Sequence, residues 1–270
     1  MYFADVRRFN RLVWISWWYQ LKILTRYPLT LFGSLLHYIW GLGFRILFWS
    51  IVVRHSNLSS TPLSEIISYF FIAEFLYAFF LCDAQMSSVS TKHIKTGQLN
   101  YLLSRPGSPL VQLYAKTMPG YVMGQIWSVV LLIIGIVMSQ GLFAHMTLTR
   151  AAIIGVALVN AFILNLSFNI FFSTLTFYTT EGKSLRNVLL HVLRVFRGEW
   201  VPLFLLSAPV VKVLEVLPSA STYYLPVRLL QGVEVPSRLV MLGTLWALPI
   251  FYLSLRFWKR GLRSYEAVGI

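Results

Sequence analysis

Six ionisable residues stand in or beside the apolar stretches of this sequence: Arg45, Glu74, His191, Arg194, Arg197 and Glu199. In hydrocarbon-like surroundings a guanidinium holds a carboxylate, a phosphate or a ring face. An ionisable group there normally faces protein or water, because each costs at least about 2.5–3.5 kcal/mol to insert. Arg45 lies about eight residues before the end of one apolar stretch, and Glu74 about ten residues into the next. As antiparallel helices these place the two side chains at similar depth. An ion pair between them is favoured over contact with a substrate. Asn160, Asn165 and Asn169 dot a later stretch, and such amides more often bond between helices than bind a ligand.

Other chemistry lacks its residues. Glu181-Gly182-Lys183-Ser184 looks like the end of a phosphate-binding loop, but that pattern needs a glycine five positions before Gly182. Phe177 stands there instead. The segment reads as a turn, and no ATP hydrolysis by this chain is expected. The histidines His37, His55, His93, His145 and His191 have no His or Cys neighbour at ligand spacing, so no metal site is expected. Cys82 is the sole cysteine, which excludes an intramolecular disulfide. No nucleophile elbow and no zinc-protease signature occur, so the chain is not expected to be an enzyme.

The elements that must position these residues follow from composition. The chain has 270 residues, 57% of them hydrophobic and 12% charged, with a mean hydropathy of +0.68. A soluble domain carries about 25% charged residues, so an ordinary soluble enzyme, a disordered chain and a secreted disulfide scaffold are excluded. A spanning helix needs about 20 mostly apolar residues. Clean stretches of that kind begin near Leu29, Ile66, Pro119, Ala151 and Leu239. A further stretch between Gly182 and Pro218 is broken by charges, and hydropathy alone starts its span near Arg197.

The net charge of +14 could signal nucleic acid or membrane orientation, and its distribution decides. Fifteen basic residues fall on alternating segments: Met1–Pro28, Ala84–Lys116, Glu181–Arg186 and the tail from Arg256. The intervening segments hold only Arg54, Arg150, Lys212, Arg228 and Arg238. Retention of Lys and Arg in the cytoplasm then predicts six spans with both termini inside. No basic run with interleaved aromatics forms a nucleic-acid surface, and no nucleic-acid partner is expected. At the start, Phe3, Val6, Val13, Trp17, Leu21 and Leu24 recur at roughly helical spacing between Arg7, Arg8, Arg11 and Lys22. That pattern predicts an amphipathic helix lying on the inner membrane surface against lipid. Gly120 and Gly124 form a GxxxG pair, a weak signal of close helix approach.

Several segments carry a family resemblance: Ile94-Lys95-Thr96-Gly97-Gln98-Leu99-Asn100-Tyr101-Leu102-Leu103-Ser104-Arg105-Pro106, then Gly198-Glu199-Trp200-Val201-Pro202-Leu203, Leu217-Pro218, Tyr224-Leu225-Pro226 with Gly232, and Ser264-Tyr265-Glu266-Ala267-Val268-Gly269. In order and spacing the chain resembles the type-2 export permeases of ATP-binding-cassette (ABC) transporters, in the bacterial subgroup of uncharacterised or antibiotic-transport permeases. The resemblance covers nearly the whole chain. It implies an all-α integral membrane protein of one domain: an elbow helix over 1–28, and spans at about 29–53, 66–83, 117–141, 151–180, 184–205 and 238–257. A cytoplasmic coupling loop over 86–110 and an extracellular re-entrant segment over 206–232 complete it. The fifth span thus moves upstream of where hydropathy starts it.

The resemblance also implies roles. Lys92, Lys95, Gly97, Leu99, Arg105 and Pro106 would dock on a separate ABC ATPase subunit. Arg45, Glu74, Arg194, Arg197 and Glu199 would line a translocation path between two permease subunits, related chains or identical ones. No cofactor would be bound by this chain; ATP and magnesium would sit on the partner ATPase. The expected activity is ATP-driven export of an amphipathic drug, lipid, glycan or peptide across the bacterial inner membrane. A secondary transporter or a membrane-embedded enzyme without an ATPase partner is the alternative. A secondary carrier would more readily show inverted repeats, which this sequence does not display.

Overall fold

In the computed structural model the described residues are 14–15, 18–19, 22, 26, 28–55, 62–105, 107–117, 122–139, 146–179 and 181–265. Every regular element among them is helical. Most of the expected elbow helix, together with Pro106, Gly120 and Glu266–Gly269, lies outside the described residues. Trp14, Trp18 and Tyr19 are helical and exposed.

The long elements are α1 (Pro28–His55), α2 (Leu63–Lys95), α5 (Val122–Ser139), α6 (Leu148–Thr174), α7 (Gly182–Phe196) and α11 (Ser237–Arg263). Short helices α3 (Leu99–Leu103) and α4 (Pro109–Thr117) follow α2, while α8 (Ala208–Val216), α9 (Pro218–Thr222) and α10 (Tyr224–Leu230) separate α7 from α11. Among the described residues, Leu63–Phe80, Leu148–Phe177 and Ser237–Arg263 are long and apolar enough to cross a membrane. The Trp127–Ser139 part of α5 is a shorter apolar helix.

α2 and α6 form the centre. α1 and α5 pack on α2, and α11 packs on α6. Close approach depends on small residues, as it does where surrounding lipid gives helices no hydrophobic reason to associate. A side chain at Gly135 of α5 would stand 2.8 Å from Ile72 and 2.9 Å from Phe71. One at Gly243 of α11 would stand 2.9 Å from Ser221 and 3.3 Å from Asn160. The core joins Leu42, Trp49, Tyr69, Phe70, Leu76, Ala161, Leu203, Tyr223 and Val227. A second cluster at the other end gathers Met86, Ile94, Leu99, Leu102, Leu113, Ile170 and Trp258.

Two boundaries depart from the sequence reading. α2 runs unbroken to Lys95, so 86–95, expected as loop, extends the helix. Its buried Met86 and Ile94 pack in the second cluster. The segment expected as one span over 184–205 is α-helical only to Phe196. Gly198 there adopts φ 83°, and Pro202 follows four residues later. The chain then continues through a 3-10 turn at Leu203–Leu205.

α9 and α10 are buried along most of their length. One end of this segment meets the start of α6: an Arg150 Nη donates to the Gly232 carbonyl and to that of Val233 at 3.3 Å. The other end lies far along the same helix, where Asn165 Nδ2 donates to the Thr222 carbonyl at 3.2 Å. Fifteen helical residues separate Arg150 from Asn165, about 22 Å of rise. The irregular backbone therefore enters deep between α2, α6 and α11, where protein covers its polar groups.

Candidate functional site: a buried charge cluster

The site begins with the way α7 ends. The Gly198 N–H donates to the Val195 carbonyl at 3.2 Å, and the Glu199 N–H to that of Arg194 at 3.1 Å. These two bonds, with a glycine in the left-handed region at Gly198, form a Schellman cap. The cap folds Glu199 back over the last turn. The side chains it brings together, usually apolar in this motif, are here Arg194 and Glu199, at 3.6 Å. Tyr69 of α2 fixes the cap from outside, its hydroxyl donating to the Gly198 carbonyl at 2.6 Å. Trp49 of α1 donates from Nε1 to the Trp200 carbonyl at 3.0 Å.

Around this cap the candidate path residues converge. Arg197 forks onto Glu199, with Nε to Oε2 at 2.7 Å and Nη2 on the same oxygen. Its Nη1 donates to Asn165 Oδ1 at 3.0 Å, and its guanidinium lies over the Tyr223 ring at 5.0 Å. Arg45 pairs with Glu74 and lies over Phe70 at 5.7 Å, so the pairing expected from their depth is present. Tyr223 ties the two pairs together. Its ring carries the Arg197 guanidinium, and its hydroxyl donates to the carbonyl of Ala73, the residue before Glu74. Arg194 lies over the Tyr77 ring at 5.5 Å. Glu74 and Glu199 are each 3% exposed and Arg197 8%. Charges so deeply buried persist only when paired and hydrogen-bonded, and helices α1, α2, α6, α7 and the α9–α10 segment all contribute to that pairing.

Three features were missed by sequence reasoning. Tyr69 and Tyr223 sit in apolar runs with no spacing that marks them. Arg228, counted among the orienting charges, instead donates to Glu65 at 2.5 Å and covers Phe204 at 4.4 Å. Gln231 Nε2 completes that group, donating to Ser68 Oγ at 2.7 Å and the Glu65 carbonyl at 2.9 Å. The amides of α6 bond as expected for two of three: Asn160 reaches Thr244 Oγ1 of α11 at 3.0 Å, and Asn165 reaches both Thr222 and Arg197. Asn169 donates within its own helix, to the Asn165 carbonyl at 2.9 Å.

The expected docking residues form a separate group at the far end of α2. Lys92, Lys95 and Arg105 are exposed, whereas Leu99, the first residue of α3, is buried in the second cluster. Gly97 takes φ 71° and lets the chain turn from α2 into α3. The Arg105 guanidinium stacks on Tyr101 at 4.1 Å. Tyr101, Leu103 and Val111 add exposed apolar surface beside the cations. Tyr265 closes this end edge-on to Phe177 at 5.8 Å, and burial pushes its hydroxyl pKa up. Gly182 opens α7 directly after turns rather than a strand. A side chain there would stand 2.5 Å from Thr176 Cα, so Gly182 serves close packing.

A family model described as ABC-2 family transporter protein matches residues 39–269. The chain belongs to the ABC-2 transporter family. It is a type-2 ABC permease, a membrane subunit of a transport system. The match takes in both the charge cluster and the exposed basic turn. A comparison with curated proteins finds no match to this permease.

Proposed function

We propose that this permease is the membrane subunit of an ATP-driven exporter in the bacterial inner membrane. It crosses six times with both termini in the cytoplasm and moves an amphipathic drug, lipid, glycan or peptide outward. Two permease subunits, related or identical, enclose the path among membrane lipids. ABC ATPase subunits bind ATP and magnesium and dock on the turn that holds Lys92, Lys95, Gly97, Leu99, Arg105 and Pro106. Arg45, Glu74, Arg194, Arg197 and Glu199 line the path, and the α8–α10 segment closes it on the outer side as a re-entrant cap.

The observation that carries this reading is the continuity of α2. One helix holds Glu74 in the buried cluster and Lys92 and Lys95 at the exposed turn. A load applied at the turn is therefore delivered to the ion pairs. Closure of the ATPase dimer would supply that load, and a path with different cargo affinity in its two states would convert it to transport.

Affinity purification of the full-length permease from its native membrane tests the reading. The expected result is a co-purifying subunit with a complete phosphate loop, whose ATP hydrolysis depends on the permease. A permease that purifies without an ATPase and still exchanges solute along an ion gradient would establish the secondary-transporter alternative instead.

A further inference from the structure

The buried cluster does not balance. Arg45 neutralises Glu74, and Arg197 neutralises Glu199 through two contacts to one oxygen. Arg194 is left over. It approaches the already paired Glu199 through Nε at 3.6 Å and lies over the Tyr77 ring at 5.5 Å, and its side chain is 25% exposed. Removing it on paper leaves a neutral cluster. A surplus guanidinium at the edge of a buried charge cluster calls for an anion.

The surroundings of Arg194 define the shape of that anion's carrier. His191 and Asn187 precede it by three and seven residues, so the three form one flank of α7. The His191 ring bonds the Asn187 carbonyl through Nδ1 at 2.6 Å. Directly beside this flank Val188, Val192 and Val195 form an exposed apolar row. A polar flank that ends at a surplus cation, bordered by an open apolar row, matches a molecule with an acidic head and an alkyl body.

We propose that Arg194 is the head-group site for an anionic amphiphile carried as cargo. The guanidinium takes its phosphate, sulfate or carboxylate, and the apolar body lies along Val188, Val192 and Val195. This deepens the permease reading and rests on it. The site binds cargo rather than a fixed membrane lipid.

The test uses the full-length chain in phosphatidylcholine nanodiscs, with empty discs as blanks. Binding of dodecyl phosphate and of dodecyltrimethylammonium is measured by equilibrium dialysis. The wild type should prefer dodecyl phosphate by at least about tenfold, the ratio that ~1.4 kcal/mol produces. Arg194→Gln should abolish the preference and Arg194→Lys should keep part of it. His191→Glu, which sets a carboxylate three residues away on the exposed side, should abolish it with Arg194 intact. This variant keeps the test decisive if Arg194→Gln does not fold. Equal binding of the two probes by the wild type overturns the proposal, as does a preference that survives Arg194→Gln or, where that variant does not fold, His191→Glu. Loss of dodecyl phosphate binding when phosphatidylglycerol is added to the discs also overturns it, by making the site a lipid site. The measurement needs no ATPase. A permease that couples to an ATPase but shows no preference refutes this inference alone, and one with a preference but no ATPase refutes only the exporter reading.

Discussion

Glu199→Gln is the most informative single change. The substitution keeps shape and removes only charge. Arg197, 8% exposed, then retains a neutral amide acceptor at 3.0 Å in Asn165 and the face of Tyr223 at 5.0 Å. Three guanidinium groups, those of Arg45, Arg194 and Arg197, are left facing the single carboxylate of Glu74. Removing one partner of a buried pair costs about 3–5 kcal/mol. Deleting the pair whole, as Glu199→Gln with Arg197→Met, should be near neutral, because the desolvation of both charges disappears together. Adding Arg197→Met to Glu199→Gln should therefore recover about 3–5 kcal/mol, the cost of the lone charge. Arg194→Gln should cost under about 1 kcal/mol, since a partly exposed, longer contact is worth little. The assay is denaturant titration of the purified chain in mixed micelles, followed by circular dichroism. If Glu199→Gln is within about 1 kcal/mol of wild type, or the double variant is no more stable than the single, the buried-pair reasoning fails.

Three other outcomes follow from the same geometry. Arg45→Glu or Glu74→Arg alone should lower thermal stability and yield, and the combined swap should recover most of both; a swap as poor as either single change would break the assigned pair. Gly198→Ala should destabilise by at least about 1–2 kcal/mol from left-handed backbone strain, with further loss because its Cβ would stand 2.8 Å from Tyr69 Oη; a melting temperature equal to wild type would contradict the cap. Lys92→Glu with Lys95→Glu should leave the melting temperature unchanged, both side chains being exposed, while abolishing ATPase co-purification; retained association would remove this turn from the docking surface.

The sequence made some of this visible. Arg45 and Glu74 could be matched because each is a single charge in a long apolar run, so helical rise alone sets their depth. The all-helical architecture followed from the same runs. α7 was harder to see, because Arg194, Arg197 and Glu199 lower its hydropathy. Their partners, Tyr77 and Tyr223, lie in segments distant in sequence, and Asn165 bonds Arg197 from another helix. The one local signal was Gly198 directly after Arg197, the mark of a helix cap, which resolves why a charged segment can end inside an apolar core. The Arg228–Glu65 pair left no trace, since its members are 163 residues apart and each reads as an ordinary flanking charge.

The unbroken length of α2 sets a gear ratio. Its 33 residues make a rod about 50 Å long. Glu74 lies about 16 Å from the Leu63 end and Lys95 about 48 Å. If the rod pivots where Glu65 and Ser68 are held by Arg228 and Gln231, side chains near Glu74 travel only a fraction as far as those near Lys95. A shift of about 3 Å at Lys95 then becomes at most about 1 Å at Glu74. That is a small displacement for a helix but a large one for an ion pair, so the chain's architecture trades amplitude for a sharp change in charge contacts.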